Sequence, residues 1–354
     1  MAHASSMERD EGSCVWRAPS NIALVKYWGK RKEQLPRNPS LSFTLDAAAT
    51  TTRLTYRKKE LAEDAISFDI LLDRLPQEHF RPKITTFLKR ALPYLPFIRE
   101  FHFTVETSNS FPHSSGIASS ASGMAALALC LADMEREWTT GYREEDFNKK
   151  ASFLARLGSG SACRSIEGPL VLWGKIPGMQ GSSDLYGMRY PLEMHTAFEG
   201  YRDTILLVDK GKKKVSSTLG HGLMEGHPFA AARFTQASKH LEAIGPVLES
   251  GDLEAFTEIV EREALSLHAM MMTSQPYFLL MKPNTIQIIE LVWEFRRSEK
   301  IPLCFTLDAG ANVHLLYPEH FSDRVNAFIQ GYLVEYCEEG QYICDQIGFG
   351  AKKM

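Results

Sequence analysis

The sequence contains no hydrophobic run long enough to span a membrane. Its longest apolar stretches, such as residues 125–132, fall far short of the ~20 residues that a transmembrane helix needs. The opening residues, MAHASSMERDEG, lack the apolar core of a secretory signal. We therefore expect a protein that is neither secreted nor anchored in a membrane.

Cysteine is scarce and widely spaced. The chain has six cysteines and no C-x-x-C pair. They are Cys14, Cys130, Cys163, Cys304, Cys337 and Cys344. This spacing predicts reduced, mostly buried thiols in a cytoplasmic protein, and it argues against a disulfide framework or a structural zinc site.

An excess of positive charge is also missing. Lys and Arg together number 40 and Asp and Glu together number 43, which gives a net charge of −3. Broad nucleic-acid binding usually needs a basic excess or a basic face, so we expect no nucleic-acid partner. The balance still allows a small anionic substrate, because one pocket can be basic on a slightly acidic protein.

The size and the order of elements predict an α+β fold in two parts. The chain has 354 residues, of which 44% are apolar, enough for two packed units or one large one. A stretch rich in Gly, Ser and Asp near residues 181–188 marks a boundary, so we predict domains at residues 13–190 and 191–354. The predicted strands are residues 22–28, 41–45, 50–56, 101–107, 168–173, 204–208, 303–307 and 313–317, and the predicted helices are 80–94, 119–138, 148–157, 228–244, 253–270, 284–298 and 321–331.

Two loops of small residues are candidate phosphate sites. Residues 112–121, PHSSGIASSA, lie between a predicted strand and a predicted helix, where backbone N–H groups and the hydroxyls of Ser119 and Ser120 could bind an anion. The loop is not a Walker motif, and a serine-rich loop that only caps its helix fits the same text. Residues 158–165, GSGSACRS, contain Arg164, which either binds phosphate or is a solvated turn residue. Together the two loops favour two phosphate groups, one from each of two ligands.

Lys26 and Asp308 are the candidate reactive groups. Lys26 interrupts the apolar segment 22–28, where an unpaired ammonium would be costly to bury, so it must reach water or meet an anionic group. Asp308 follows a predicted strand in a turn with Gly310, where aspartate is also common for local reasons. A carboxylate held there beside a lysine would stay ionised and could accept a proton from a substrate hydroxyl during phosphoryl transfer.

These motifs together resemble those of the diphosphomevalonate decarboxylases of the GHMP kinase superfamily. The resemblance runs from Ala18 to about Tyr317. Its motifs are APSNIALVKYWGKR at 18–31, residues 38–45, the nucleotide loop within 111–123, ARLGSGSACRS at 155–165, residues 214–217, TSQP at 273–276 and TLDAGAN at 306–312. The nucleotide loop is typical of the whole superfamily, whereas KYWGK, GSGSACRS and the DAG turn in this order are specific jointly.

The resemblance implies a reaction, a fold and an assembly. The reaction would be ATP-dependent: the 3-hydroxyl of (R)-5-diphosphomevalonate is phosphorylated, and phosphate and CO2 then leave to give isopentenyl diphosphate in the mevalonate pathway of isoprenoid biosynthesis. The fold would be the two-domain GHMP kinase fold, with an N-terminal half like ribosomal protein S5 domain 2 and a ferredoxin-like C-terminal half. The active site would lie in the cleft between the halves, and the protein would be a homodimer.

The resemblance also implies residue roles, with Asp308 and Lys26 as the catalytic pair. The residues implied to bind ATP are Pro112, Ser114, Ser115, Gly116, Ala118, Ser119 and Ser120, of which Ser120 would be nearest the γ-phosphate and its Mg²⁺. The residues implied to bind the substrate are Asn21, Tyr27, Lys30, Ser159, Gly160, Ser161, Arg164 and Ser217.

Three departures from the family pattern keep alternatives open. Ala311 replaces the proline of the usual DAGPN turn, His113 enters the nucleotide loop, and Thr218 stands where some members carry an arginine. The last difference leaves a phosphomevalonate (monophosphate) decarboxylase as an alternative. Two others are a GHMP kinase that does not decarboxylate, and a binding protein that keeps the fold without activity.

Overall fold

The computed structural model describes residues 9–60, 65–111, 119–139, 141–211 and 217–354, and these form two β-sheets with helices packed on them. The strands are β1 Glu11–Val25, β2 Ser40–Lys58, β3 Ser67–Leu72, β4 Leu75–Pro76, β5 Phe101–Asn109, β6 Leu170–Trp173, β7 Gly187–Arg189, β8 Arg202–Leu206, β9 Cys304–Leu307, β10 Val313–Tyr317, β11 Tyr342–Gln346 and β12 Lys352–Lys353. The α-helices are α1 Arg81–Ala91, α2 Ser119–Glu137, α3 Glu144–Gly158, α4 Ser217–Gly222, α5 Ala230–Ser250, α6 Leu253–Met272, α7 Pro283–Glu299 and α8 Ser322–Phe328.

The first sheet is built on the long antiparallel pair β1 and β2. Its main path runs β12-β1-β2-β5-β3-β4, while β6 pairs with the start of β2 and β7 pairs with β6. Helix α2 packs on this sheet and is buried along most of its length. Its alanines favour a helix and allow a close approach to the strands, so the N-terminus of α2 is held firmly over the sheet.

The second sheet has the order β11-β8-β10-β9, and its neighbours are antiparallel. Strands β9 and β10 are buried on both faces, because α6 and α7 pack on one side and the other elements enclose them. The residues between these two strands form the tight turn 308–312, in which Gly310 N–H donates to the Asp308 carbonyl over 2.7 Å. Asp308 therefore follows a rigid strand.

The two sheets share one hydrophobic core. Ile22 and Phe43 of the first sheet belong to the same buried cluster as Leu241 of α5 and Phe256 of α6. Strand β12 also returns to the first sheet, where it pairs with β1. The shared core places the end of β1 close to α6 and to the end of β9.

Most predicted elements are present, with two notable corrections. The strand predicted through Trp28 ends at Val25, because the Lys26 N–H leaves the sheet ladder and donates to a side chain of α6. The segments predicted as two strands, 41–45 and 50–56, form the single strand β2. Short strands β3, β7 and β11 carried too few alternating residues to be predicted.

Several broader expectations can be compared with the described residues. The cysteines are all free, and Cys344 is the exposed one. None of the described helices is both long and apolar enough to cross a bilayer. The domain boundary at 190/191 stays a prediction: β7 ends at Arg189 and β8 begins at Arg202, whereas β12 pairs in the first sheet.

Candidate active site

The ends of β1 and β9 bring Lys26 and Asp308 together. Lys26 Nζ lies 3.2 Å from Asp308 Oδ1. The lysine side chain is 2% exposed and the aspartate side chain 26%, so the ammonium is buried behind a partly exposed carboxylate. The alternative in which Lys26 reaches water is wrong.

Burial and charge act in opposite directions on Lys26. Desolvation lowers the pKa of Lys26, and the carboxylates of Asp308 and Glu263 raise it again without restoring its usual value. The nearby guanidinium of Arg164 lowers the pKa of Lys26 further. The ammonium is thus held by its carboxylate partner in an otherwise unfavourable place.

Arg164 is a buried cation with spare hydrogen-bonding capacity. It is 3% exposed, so the alternative of a solvated turn residue is wrong. Its Nη1 donates to Ser40 Oγ over 2.5 Å, while its Nε is buried and has no hydrogen-bond partner among the described residues. Burial lowers the pKa of Arg164, and the Asp308 carboxylate partly opposes this. A buried guanidinium with an unused N–H is typical of a site for an anion.

Tyr27 and Gly160 form the wall next to Arg164. The Tyr27 ring packs edge-on against Trp173 at a centroid distance of 4.6 Å, and its hydroxyl is buried without a hydrogen-bond partner in the described ranges. Burial raises the pKa of Tyr27. A Cβ at Gly160 would lie 2.9 Å from the Tyr27 hydroxyl oxygen and 2.8 Å from Trp173, so this close approach requires glycine.

Asn21 holds the loop that carries the serines. Its Nδ2 donates to the Ser161 carbonyl over 3.3 Å and to Ser165 Oγ over 2.8 Å. The 3₁₀ helix Gly160–Ser165 is therefore tied to β1 by the Asn21 amide. Lys30, at the rim, is half-buried and donates from Nζ to Gln34 Oε1 over 3.0 Å.

Ser119 and Ser120 are the first residues of α2, beside the second loop. Ser120 Oγ donates to Ser159 Oγ over 3.2 Å and accepts from the Lys83 ammonium. Lys83 is an exposed residue as a whole, but its ammonium is desolvated beside Ser120, and this desolvation, with a smaller contribution from the charge of Lys30, lowers its pKa to about 8. A cavity of about 240 Å³ opens beside these groups and is lined mainly by apolar side chains. The site thus combines an apolar pocket with hydroxyls and ammonium groups at its mouth.

Some predicted site residues lie outside the described residues. These are Pro112, Ser114, Ser115, Gly116 and Ala118 of the nucleotide loop. The side chain of Ser217, the first residue of α4, also lies outside them. Their roles stay predictions.

Several residues at the site were not identified from the sequence. The His221 ring stacks on Tyr27 and Trp28 at centroid distances of 4.3 and 4.5 Å, and its Nδ1 accepts from Gly29 N–H over 3.0 Å. Burial, with the charges of Lys30 and Arg164, lowers the pKa of His221 to about 3, so the ring is neutral at pH 7. The other unidentified residues are Lys83 of α1 and Glu263 and His268 of α6. None of them lies in a recognisable motif.

Two family models match the chain. The diphosphomevalonate decarboxylase-like N-terminal domain matches residues 18–184, and the mevalonate 5-diphosphate decarboxylase C-terminal domain matches residues 204–348. Diphosphomevalonate decarboxylase from Aspergillus fumigatus is 31% identical over 93% of this chain and 83% of its own length. The human enzyme of the same name is 31% identical over 86% of this chain and 76% of its own length.

Solved structures agree with these matches. MDDEF in complex with MVAPP, AMPPCP and magnesium is 30% identical, with a TM-score of 0.82 over 97% of this chain and 99% of that one. Mevalonate diphosphate decarboxylase from Staphylococcus aureus is 27% identical, with a TM-score of 0.82 over 97% and 98%. The two-domain α+β fold is that of the GHMP kinase superfamily. Within it, the chain belongs to the diphosphomevalonate decarboxylase family. The predicted family and fold class are confirmed.

Proposed function

We propose that this chain catalyses the ATP-dependent decarboxylation of (R)-5-diphosphomevalonate to isopentenyl diphosphate, ADP, phosphate and CO2. The observation that carries the proposal is the 3.2 Å contact between Lys26 Nζ and Asp308 Oδ1, beside the buried guanidinium of Arg164. The choice of substrate rests on the relatives named above, since they are decarboxylases of the diphosphate rather than of the monophosphate. The enzyme acts in the mevalonate pathway.

In the first step Asp308 accepts the proton of the substrate 3-hydroxyl. A tertiary hydroxyl is crowded and weakly nucleophilic, so it needs both a fixed position and a nearby base. The oxygen then attacks the γ-phosphorus of ATP, and ADP leaves. Lys26 keeps the Asp308 carboxylate ionised before the proton arrives, and its ammonium faces the negative charge of the transferred phosphoryl group.

In the second step the new phosphate leaves with the electrons of its bond to the substrate carbon. By then Asp308 has released the accepted proton to the transferred phosphate or to solvent, so its carboxylate is anionic again and stabilises the positive charge that develops at that carbon. The bond to the substrate carboxylate breaks, its electrons form the carbon–carbon double bond, and CO2 is released. The Asp308 carboxylate thus acts as a base in the first step and as a stabilising charge in the second.

The substrate diphosphate binds at the wall formed by Tyr27, Arg164 and the loop 158–165. Arg164 Nε and the Tyr27 hydroxyl are both buried and without partners among the described residues, and both are donors suited to phosphate oxygens. Ser159, Ser161 and Lys30 add further donors, and Ser217 stays in this group as predicted. Asn21 acts through the Ser161 carbonyl, and Gly160 acts by its small size.

ATP binds at the N-terminus of α2, with its base in the 240 Å³ cavity. Ser119, Ser120 and Lys83 then face the phosphates, where the first N–H groups of the helix also favour an anion. Mg²⁺ enters with ATP as part of the substrate, and Ser120 is the protein ligand proposed for it. In the described ranges there is no cluster of three or more His, Cys, Asp or Glu side chains that could hold a metal. The MDDEF complex with AMPPCP and magnesium supports the binding of a nucleotide together with magnesium.

The test is a substrate panel with three readouts. The purified chain is incubated with MgATP and either (R)-5-diphosphomevalonate or (R)-5-phosphomevalonate, and ADP, phosphate and CO2 are measured. Equal amounts of all three products from the diphosphate support the proposal. ADP without CO2 would indicate a kinase, and a preference for the monophosphate would indicate the other decarboxylase. Substrate binding without any product would indicate a binding protein.

A cytoplasmic homodimer is a further part of the proposal, and it rests on the family resemblance. Light scattering on the purified chain should give twice the 39.9 kDa of one chain. No nucleic-acid or membrane partner is part of the proposal.

A further inference from the structure

Side chains of helix α6 bind main-chain groups of both Lys26 and Asp308. Glu263 is fully buried, and its Oε2 accepts from the Lys26 backbone N–H over 2.8 Å. His268, 1% exposed, places Nε2 3.0 Å from the Asp308 carbonyl oxygen. Because a carbonyl can only accept, His268 Nε2 carries the proton in this contact. One helix therefore holds the main chain of both reactive residues.

Glu263 is itself held from the opposite side by α5. Arg233 donates from Nη1 to Oε1 over 2.9 Å and from Nη2 to Oε2, and His240 Nδ1 lies 2.6 Å from Oε1. Burial alone would raise the pKa of Glu263, but the hydrogen bonds of His240 and Arg233 outweigh it and lower the pKa. The carboxylate is thus ionised and fixed at both oxygens, which makes it a rigid support.

A second carboxylate of α6 binds the backbone of β9 in the other sheet. Glu261 Oε1 accepts from the Phe305 backbone N–H of β9 over 3.2 Å, and its carboxylate is fixed by Arg296 and by Trp293 Nε1. Three side chains of one helix therefore bind main-chain groups in strand β9 and just beyond the ends of β1 and β9. Glu263 faces the end of β1, whereas Glu261 and His268 face β9 and the turn after it.

Helix α6 gives the two residues a direct connection of fixed length. Lys26 follows a strand of the first sheet and Asp308 follows a strand of the second. At 1.5 Å per residue, Glu263 and His268 lie about 7.5 Å apart along the helix axis, a distance fixed by internal hydrogen bonds. Misplacement of reacting groups by about 1 Å can cost a hundredfold in rate, so a fixed distance has catalytic value.

We propose that α6 is a spacer that sets the separation of the Lys26 ammonium and the Asp308 carboxylate, with Glu263 and His268 as its positioning residues. Its effect on rate rests on the proposed function. Its effect on the Lys26 environment does not, because that environment can be measured without any turnover.

The kinetic test uses Glu263→Gln, His268→Leu and His268→Gln. We expect kcat for CO2 release per folded protein to fall about tenfold in Glu263→Gln and His268→Leu, with both KM values within about twofold, because the pair is misplaced while the binding groups remain. His268→Gln should recover most of kcat, since its amide nitrogen can donate to the Asp308 carbonyl where the imidazole Nε2 does.

Asp133→Asn is the matched control. Asp133 is a buried carboxylate of α2 that accepts from Trp16 Nε1 over 3.1 Å and pairs with Arg136 and Lys353. It lies 14 residues beyond Ser119, or about 21 Å along the helix. This variant should lose thermal stability and keep kcat. If Glu263→Gln and His268→Leu also lose only stability and keep kcat, α6 is a core helix and the proposal is wrong.

A second readout separates this proposal from the proposed function. The rate at which acetic anhydride acetylates Lys26 is followed by mass spectrometry of the folded proteins. Lys26 is 1% exposed, so it should react slowly in the wild type and in Asp133→Asn, and several-fold faster in Glu263→Gln and His268→Leu. If the α6 variants are labelled faster than the wild type but the wild type releases no CO2, the spacer role stands and the decarboxylase activity is rejected. If the wild type releases CO2 but the α6 variants are labelled at the wild-type rate, the spacer role is rejected and the decarboxylase activity stands.

Discussion

Lys26 Nζ contacts Asp308 Oδ1 at 3.2 Å across 282 positions of sequence. The contact joins the end of a strand in one sheet to the end of a strand in the other, with the lysine enclosed and the aspartate partly exposed. It explains how an ammonium can lie at the end of a buried strand: the carboxylate that it stabilises also compensates its burial.

Asp308→Asn should abolish turnover while leaving ligand binding intact. The amide keeps the shape of the side chain but can neither accept a proton nor stabilise positive charge, so kcat should fall by about 10²–10⁴. Single-turnover CO2 release measures the loss, and calorimetry with an ATP analogue checks that affinity changes little. Decarboxylation at close to the wild-type rate would reject the role given to Asp308.

Arg164→Gln should weaken substrate capture more than it slows chemistry. The guanidinium supplies charge and a buried N–H toward the diphosphate, so KM for the substrate should rise about 10–100-fold, as expected for a lost charged hydrogen bond. Arg143→Gln, which removes an exposed arginine paired with Asp146, is the control and should keep the wild-type KM. A fall in kcat alone in Arg164→Gln would mean that the diphosphate binds elsewhere.

Lys83 should give the nucleotide site a pH dependence near pH 8. Its pKa is lowered to about 8, so its positive charge is present below that pH and is lost as the pH rises through it. The ratio kcat/KM for ATP should therefore decline above about pH 8, since this ratio reports on groups of the free enzyme.

Lys83→Arg is the variant that checks this assignment. Arginine stays charged throughout the range, so the decline attributed to Lys83 should disappear and kcat/KM for ATP should stay level to about pH 9. Lys83→Met should give low values at every pH. An identical decline in Lys83→Arg and in the wild type would assign the titration to another group.

Gly160→Ala should disturb the diphosphate wall. The added methyl group would meet Trp173 at 2.8 Å and the Tyr27 hydroxyl at 2.9 Å, so one of the rings must move. We expect a loss of about 1–3 kcal/mol in the free energy of unfolding, as for overpacking in a core, together with a higher KM for the substrate. Denaturant titration and initial rates measure the two effects.

Gly331→Ala is the control for the added methyl group. A Cβ at this position would have no described atom within 4 Å, so it should not lower stability by crowding. An equal loss of stability in the two variants would show that the crowding at Gly160 is unimportant.

Functional side chains that follow the ends of strands are easier to predict from the sequence than functional side chains within helices. Lys26 is conspicuous because it follows an apolar run, and Asp308 because a turn rich in small residues follows another. Arg164 lies in a loop of small residues. In each case the neighbouring residues make a charged side chain unexpected, so the pattern indicates a functional role.

The buried polar residues of helices give no such signal. Glu263 and His268 belong to a helix that also carries exposed charges, and the burial of these two becomes evident only when α6 packs against both sheets. Lys83, which is exposed, lies in a short helix among other basic residues and gives no signal either. Which charged face of a helix is covered depends on tertiary packing, which local periodicity cannot determine.

The core shared by Ile22, Phe43, Leu241 and Phe256 has a consequence for how the molecule melts. A fragment containing only residues 13–190 would expose an apolar surface to solvent and would tend to precipitate. The whole chain should denature as one cooperative unit, with a calorimetric enthalpy equal to the van't Hoff value. Substitutions of core residues in either half are therefore tolerated only if they still pack against the core residues of the other half.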